Sequence, residues 1–391
     1  MANLFKRVLS PSLKFEPSSL YNKIYKEQMN YFDTAYKNQL REKPPKTLIV
    51  HPDTNFLYLR CIVPDKEMTP EQYFMCHVNG YSNVIFSTYP ILNGAKFGKP
   101  IADATSAFIF KESAVFCLAD GCGMGERPAL SAKVACEAFS QYMSSELPKA
   151  KHLSHLEKLC VEAIAYAQTL ILQSQDDPLD AGLTTFIGVV CVKTGTQFAL
   201  VYVNVGDCQG LIIDPTQKHV DNLVDEEWRR TDMKSTGGRL GPVDGEYPEL
   251  DNFKVGIKFC SDKSLVCLMS DGVADNFDVK NFFEKPSDCG CRGNEWHVSN
   301  LDHRNKRTDY QNEKILSLCD KESLDTTCLN LYKYMMDVTE PTRDAKVKNL
   351  KGFVQGKMDH SSFAVFQVSD SLFSAKSLIK KKLPLAEDLA V

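Results

Sequence analysis

Apolar, β-branched runs recur in pairs across short polar turns, and this pairing most limits the folds open to the chain. Residues 106–110 and 114–118 flank Lys111-Glu112-Ser113, and residues 184–192 and 198–205 flank Lys193-Thr194-Gly195-Thr196. Strands so close in sequence pair antiparallel, because a parallel neighbour needs a crossover of a dozen or more residues. Runs at 83–92, 210–213, 255–259, 264–269 and 363–368 also have strand character. Most are nearly continuous in apolar residues rather than alternating, as expected where both faces of a sheet are covered.

The covering layers are legible as helices. Apolar residues recur at 3–4 spacing over 129–143, with Pro128 suited to a first turn, and helices are also expected at 153–173 and 322–336. A further helix at about 18–41 is expected to pack on the domain. Strand hairpins set between helices predict an α+β fold of antiparallel sheets covered by helices. Residues 77–369 are expected to form one domain, preceded by a partly helical extension at 1–76. A polar loop insertion is read at 284–314, and a charged tail at 370–391 carries Lys380-Lys381-Lys382.

Four aspartate-bearing stretches lie at the edges of these runs: Ile101-Ala102-Asp103-Ala104, Ala119-Asp120-Gly121-Cys122-Gly123-Met124-Gly125, Ser270-Asp271-Gly272 and Met358-Asp359-His360. Asn204-Val205-Gly206-Asp207 repeats the placement. One aspartate at a strand end is ordinary turn chemistry. Several spread over a whole domain suit hard divalent cations, which take oxygen ligands and can activate water for attack at phosphorus. Glycines around Asp120 let a ligand approach the backbone, and the following helix offers its N-terminus to phosphate.

The remaining composition narrows the field. A net charge of −4 gives no case for nucleic acid, and no apolar run approaches the length of a membrane span. The fourteen cysteines are dispersed and the start lacks the apolar stretch of a signal peptide, so reduced thiols and a cytoplasmic or nuclear location are expected. Cys122 and Arg127 miss the Cys-x₅-Arg spacing of cysteine phosphatases by one residue. Cys289, Cys291, His297 and His303 lack the spacing of a structural zinc site and read as a surface loop. Trp228 and Trp296 are read as loop-packing residues.

Asp103-Ala104, Ala119-Asp120-Gly121-x-Gly123, Gly182-Leu183-Thr184-Thr185, Asn204-Val205-Gly206-Asp207, Gly237-Gly238-Arg239-Leu240, Ser270-Asp271-Gly272 and Asp359-His360 follow one another in order. Over about residues 80–369 this set resembles the PPM-type (type 2C) metal-dependent protein phosphatases, in a divergent phosphatase-like eukaryotic branch. The resemblance implies an α/β/β/α four-layer sandwich with a binuclear Mg²⁺ or Mn²⁺ centre at one end. Asp120 would bridge both ions, the Gly121 carbonyl would complete one shell, and Asp271 and Asp359 would hold the other ion. Asp103 would act near the centre partly through water, and Asp207 would belong to a weaker third site. The implied reaction is hydrolysis of phosphoserine or phosphothreonine in a phosphoprotein substrate by metal-activated water, without a phosphoenzyme.

The departures bear on activity. Cys122 stands where the family often has a histidine credited with protonating the leaving group. The arginine that clamps the substrate phosphate is Gly98 here, leaving Lys99 or Lys96 as substitutes without bidentate geometry. Ala102 replaces an acidic residue, and His360 an asparagine. A catalytically weak or inactive pseudophosphatase that binds a partner is the alternative these losses support.

Overall fold

The computed structural model describes residues 19–42, 57–61, 73–78, 80–195, 197–224, 235–297 and 300–373. Two antiparallel sheets face each other. The first has at its centre the strands Asp103–Ile109, Ser113–Gly121, Thr184–Thr194, Gln197–Val205 and Phe253–Cys260, paired in that order. Leu57–Cys61 adds to one side, and Arg239–Asp244 with Tyr247–Glu249 joins the end of Thr184–Thr194. The second sheet runs His219–Asn222, Gln209–Asp214, Leu265–Met269, His360–Gln367, Tyr81–Ser87 and Phe74–Val78.

Helices cover both outer faces, which gives the four layers. Glu126–Glu146 and Leu153–Leu172 pack on the first sheet through Ala135, Phe139, Ile164 and Ile171, all buried. Leu301–Leu318 and Leu324–Val347 cover the second through Ile315, Leu331 and Met335. Between the sheets lies a separate aromatic and aliphatic layer. There Phe116 stacks on Phe366 with ring centroids 4.0 Å apart, and Tyr81 stacks on Phe116 at 5.2 Å. Strands such as Ser113–Gly121 therefore bury alternate side chains into two different cores, which is why their sequence is apolar without a break.

The N-terminal helix Ser19–Glu42 docks on Leu153–Leu172 and on the edge of the first sheet. Tyr25 and Tyr36 donate hydroxyl hydrogen bonds to the carbonyls of Leu250 and Glu246, each at 2.8 Å. A boundary drawn at residue 77 cuts the hairpin of Phe74–Val78 with Tyr81–Ser87, and Leu57–Cys61 also belongs to the first sheet. The described strands on either side of this boundary thus belong to the sandwich. Residues 374–391, with the three lysines, lie outside the described residues, as does Trp228.

The expected polar loop at 284–314 is irregular in its described first half apart from a short turn of helix at Pro286–Cys289. Its second half is the start of the helix Leu301–Leu318, where the Asn300 side chain accepts from the backbone N–H of Asp302 and His303. Few residues of that helix are buried, so apolar periodicity gave little to read. His303 is buried, accepts from the His297 N–H at 3.1 Å and contacts the Arg292 carbonyl at 2.7 Å, leaving neither ring nitrogen for zinc. Trp296 donates to the Phe283 carbonyl, a loop-packing role.

Candidate active site

Asp103 opens one strand of the first sheet and Asp120 sits near the end of its neighbour, and the register places the two directly opposite each other. Asp271 begins a short helix after Leu265–Met269, and Asp359 immediately precedes His360–Gln367 in the second sheet. The same ends of both sheets meet here. The Ser362 hydroxyl crosses between them, donating to Asp103 Oδ2 at 2.6 Å. Four carboxylates separated by up to 256 positions are thus gathered at one end of the sandwich.

The glycines after Asp120 and Asp271 allow the close approach. A Cβ on Gly272 would lie 2.0 Å from the His360 carbonyl oxygen, and one on Gly121 would lie 2.6 Å from that of Pro128. The other short motifs support the backbone. Thr184 Oγ1 donates to the Asp120 carbonyl at 2.9 Å, and Asn204 Nδ2 to that of Gly206 at 2.8 Å. Gly238 packs where a Cβ would come 2.8 Å from the Gly206 nitrogen, and Arg239 pairs with Glu249 at 2.7 Å.

Electrostatics record the crowding. Burial, then the neighbouring charges of Asp103, Asp271 and Asp359, raise the Asp120 carboxyl well above the usual range. The proximity of Asp271 acts in the same direction as the burial. Burial pushes Asp103 up to about 7 against the opposing effect of Ser362. Asp359 is pushed up to about 6 by burial and Asp271.

Three participants were not legible in the sequence, Lys357 foremost. The Lys357 ammonium lies 2.6 Å from Asp271 Oδ2, 2.9 Å from Asp275 Oδ2 and 3.0 Å from Asp359 Oδ2. Burial alone would lower its pKa, but these three carboxylates raise it above the ordinary lysine value. Its position two residues before Asp359 was the available signal. Tyr89 and Ser362 were also missed; Tyr89 donates to Asp359 Oδ1 at 3.3 Å.

The remaining candidates divide. Asp207 lies close enough to Cys122 to help raise its thiol, after burial, to about 12. Asp207 also borders a cavity of about 390 Å³ whose walls include Asp275, Lys254, Arg304 and Arg307. Gly98 packs against Tyr89 and His360, since a Cβ there would lie 3.1 Å from each ring. His360 accepts from the Ala102 N–H, and burial lowers its pKa to about 4, so it is neutral near pH 7. Lys96 is buried near Arg343 and His360, with its pKa lowered by burial to about 8, while Lys99 is exposed.

The donor set fits divalent metal unevenly. Asp103 Oδ1 is buried without a hydrogen-bond partner among the described residues, and beside it Asp120 is crowded by acidic neighbours, as a cation site requires. At the Asp271–Asp359 edge an ammonium already lies between the carboxylates. Among the described residues no three His, Cys, Asp or Glu side chains are arranged around a common point as metal ligands.

Comparison with known proteins finds similarity to phosphatases. A serine/threonine phosphatase of S. agalactiae superposes with a TM-score of 0.46 at 14% identity, over 73% of this chain and 99% of that one. The catalytic domain of the phosphatase PstP, solved with two manganese ions, gives 0.42 at 12% identity over 74% and 97%. At such identities and TM-scores nothing about this chain follows from the likeness. The PP2C-like domain-containing protein CG9801 of Drosophila melanogaster is 28% identical over 197 residues, 48% of this chain and 27% of its own length. The chain therefore matches about a quarter of that relative. The family model for protein phosphatase 2C matches residues 95–292, about half of the chain, and the chain belongs to that family.

Proposed function

We propose that the protein is a Mg²⁺- or Mn²⁺-dependent protein serine/threonine phosphatase acting on phosphoprotein substrates in the cytoplasm or nucleus. The observation that carries this reading is the convergence of Asp103, Asp120, Asp271 and Asp359 at one end of the sandwich. Crowded carboxylates cost folding energy unless cations offset them, so their retention points to use. A bound divalent cation would supply water of lowered pKa and offset charge on the phosphoryl oxygens.

The chain's own groups set the terms around that chemistry. Asp103 and Asp120 would hold the cation, with Asp103 oriented by Ser362. Burial and acidic neighbours favour the protonated Asp120 carboxyl, and a cation must displace that proton, so binding is favoured as pH rises. Cys122, with its thiol near 12, is a poor general acid at neutral pH, and leaving-group protonation falls to solvent. The cavity beside Asp207 and Asp275 is mixed in charge, with Arg304 and Lys254 in its walls and Arg307 paired to Asp278.

A pseudophosphatase is the second reading, favoured by the packing of Gly98 against Tyr89 and His360 where a clamp arginine would stand. Hydrolysis of p-nitrophenyl phosphate and a phosphothreonine peptide, in Mn²⁺, Mg²⁺ or EDTA, separates the two. Metal-dependent turnover supports the enzyme. Its absence with both substrates leaves the binding module.

A further inference from the structure

Lys357 is fixed by more than its charge. Its backbone N–H donates to Asn276 Oδ1 at 2.8 Å, and its carbonyl accepts from Asn276 Nδ2 at 2.9 Å. Asn276 is fully buried and also donates to the Gly272 carbonyl, one residue from Asp271. Just before Lys357, Gly356 has φ +85 and lies so close to Val338 that a Cβ would come 2.1 Å from its carbonyl oxygen. The Gly356 N–H donates to the Asn281 carbonyl at 3.1 Å. The loop is therefore held on both sides, and the side chain leaves it directly between Asp271, Asp275 and Asp359. That side chain is 19% exposed, and those of Asp271 and Asp275 are 13% and 10% exposed, so solvent screens little.

An ammonium bridging Asp271 and Asp359 stands in the position a hard cation bridging the same two carboxylates would take. Two cations cannot share it without strong mutual repulsion. At the other edge, where Asp103 pairs with Asp120, burial and acidic neighbours leave a site that gains from a cation.

We propose that Lys357 is a built-in counter-cation that replaces one divalent ion at the Asp271–Asp359 edge, so that the protein holds one Mg²⁺ or Mn²⁺, at Asp120 and Asp103. The inference rests on the phosphatase reading for the remaining ion. It also accounts for how an acidic cluster of this size folds before metal arrives.

The test counts Mn²⁺ bound per chain by equilibrium dialysis on the full protein, with stability followed by thermal shift. Wild type should bind one ion and Asp120→Asn none. Lys357→Met should bind two, the second half-saturating at least about tenfold below any second ion of wild type, a modest effect for a unit charge beside a metal site. Lys357→Arg, which keeps the charge, should bind one. Metal-free Lys357→Met should melt below wild type and recover in Mn²⁺. Two ions on wild type overturn the proposal whether or not Lys357→Met folds, and so does a Lys357→Met protein that binds no more than wild type. The phosphatase reading fails separately: one bound ion without turnover removes the enzyme and leaves the counter-cation, whereas turnover with two bound ions does the reverse.

Discussion

Removing the central carboxylate should stabilise the metal-free protein at neutral pH. Burial and the carboxylates of Asp103, Asp271 and Asp359 hold the Asp120 carboxyl well above its unfolded value, so the folded state keeps a proton that the unfolded chain has released. Folding at pH 7 must take that proton up, at about 1.4 kcal/mol per unit between the unfolded value near 4 and the working pH, an upper bound of about 4 kcal/mol. Relaxation and the partial exposure of Asp120 reduce this further, to a gain read as a few degrees in melting temperature. Asparagine needs no proton. A carboxyl raised in the folded state destabilises as pH climbs from its unfolded toward its folded value, so the advantage of Asp120→Asn must grow from pH 5 to pH 7 and vanish near pH 4. Thermal shift in EDTA across that range reads it. A variant less stable than wild type at pH 7, or a gain independent of pH, would refute the reasoning.

Three further outcomes follow from the packing and the charges. Metal-free wild type should lose stability between about pH 5 and pH 7, as the unfolded chain ionises while Asp103 and Asp359 stay protonated up to about 7 and 6; urea midpoints that rise over this range would contradict it. Phe116→Ala should cost about 3–5 kcal/mol in urea unfolding, because the ring stacks between the sheets on Phe366 and Tyr81. Gly272→Ala should cost about 3 kcal/mol or abolish soluble expression, since a Cβ would meet the His360 carbonyl at 2.0 Å; wild-type unfolding would contradict it.

The sheets and most helices could be read from the sequence because they bury continuous or regularly spaced apolar residues. The strand pair Ser113–Gly121 and Thr184–Thr194 feeds two cores and shows it in its unbroken apolar stretches 114–119 and 186–192. Arg239–Asp244 and Tyr247–Glu249 were not legible, being short, rich in polar residues and largely unburied. Leu301–Leu318 escaped for the same reason, since it buries little beyond His303 and Ile315. The aspartates were found because they lie at strand ends, with glycines following Asp120 and Asp271. Lys357 was not, because one lysine in a loop carries no pattern until the fold places three carboxylates around it. The fates of Gly98 and His360 likewise needed the fold, which sets them against each other and Tyr89.

The most direct measurement of the central claim is the rate of phosphothreonine-peptide hydrolysis by wild type and by Asp120→Asn, side by side in Mn²⁺ and in EDTA. If the four aspartates form a working centre, wild type turns over only with metal. Asp120→Asn then falls by at least ~10²-fold while remaining folded, the scale of a lost electrostatic contribution to the transition state. Equal rates in the two proteins, or turnover that survives EDTA, would contradict it.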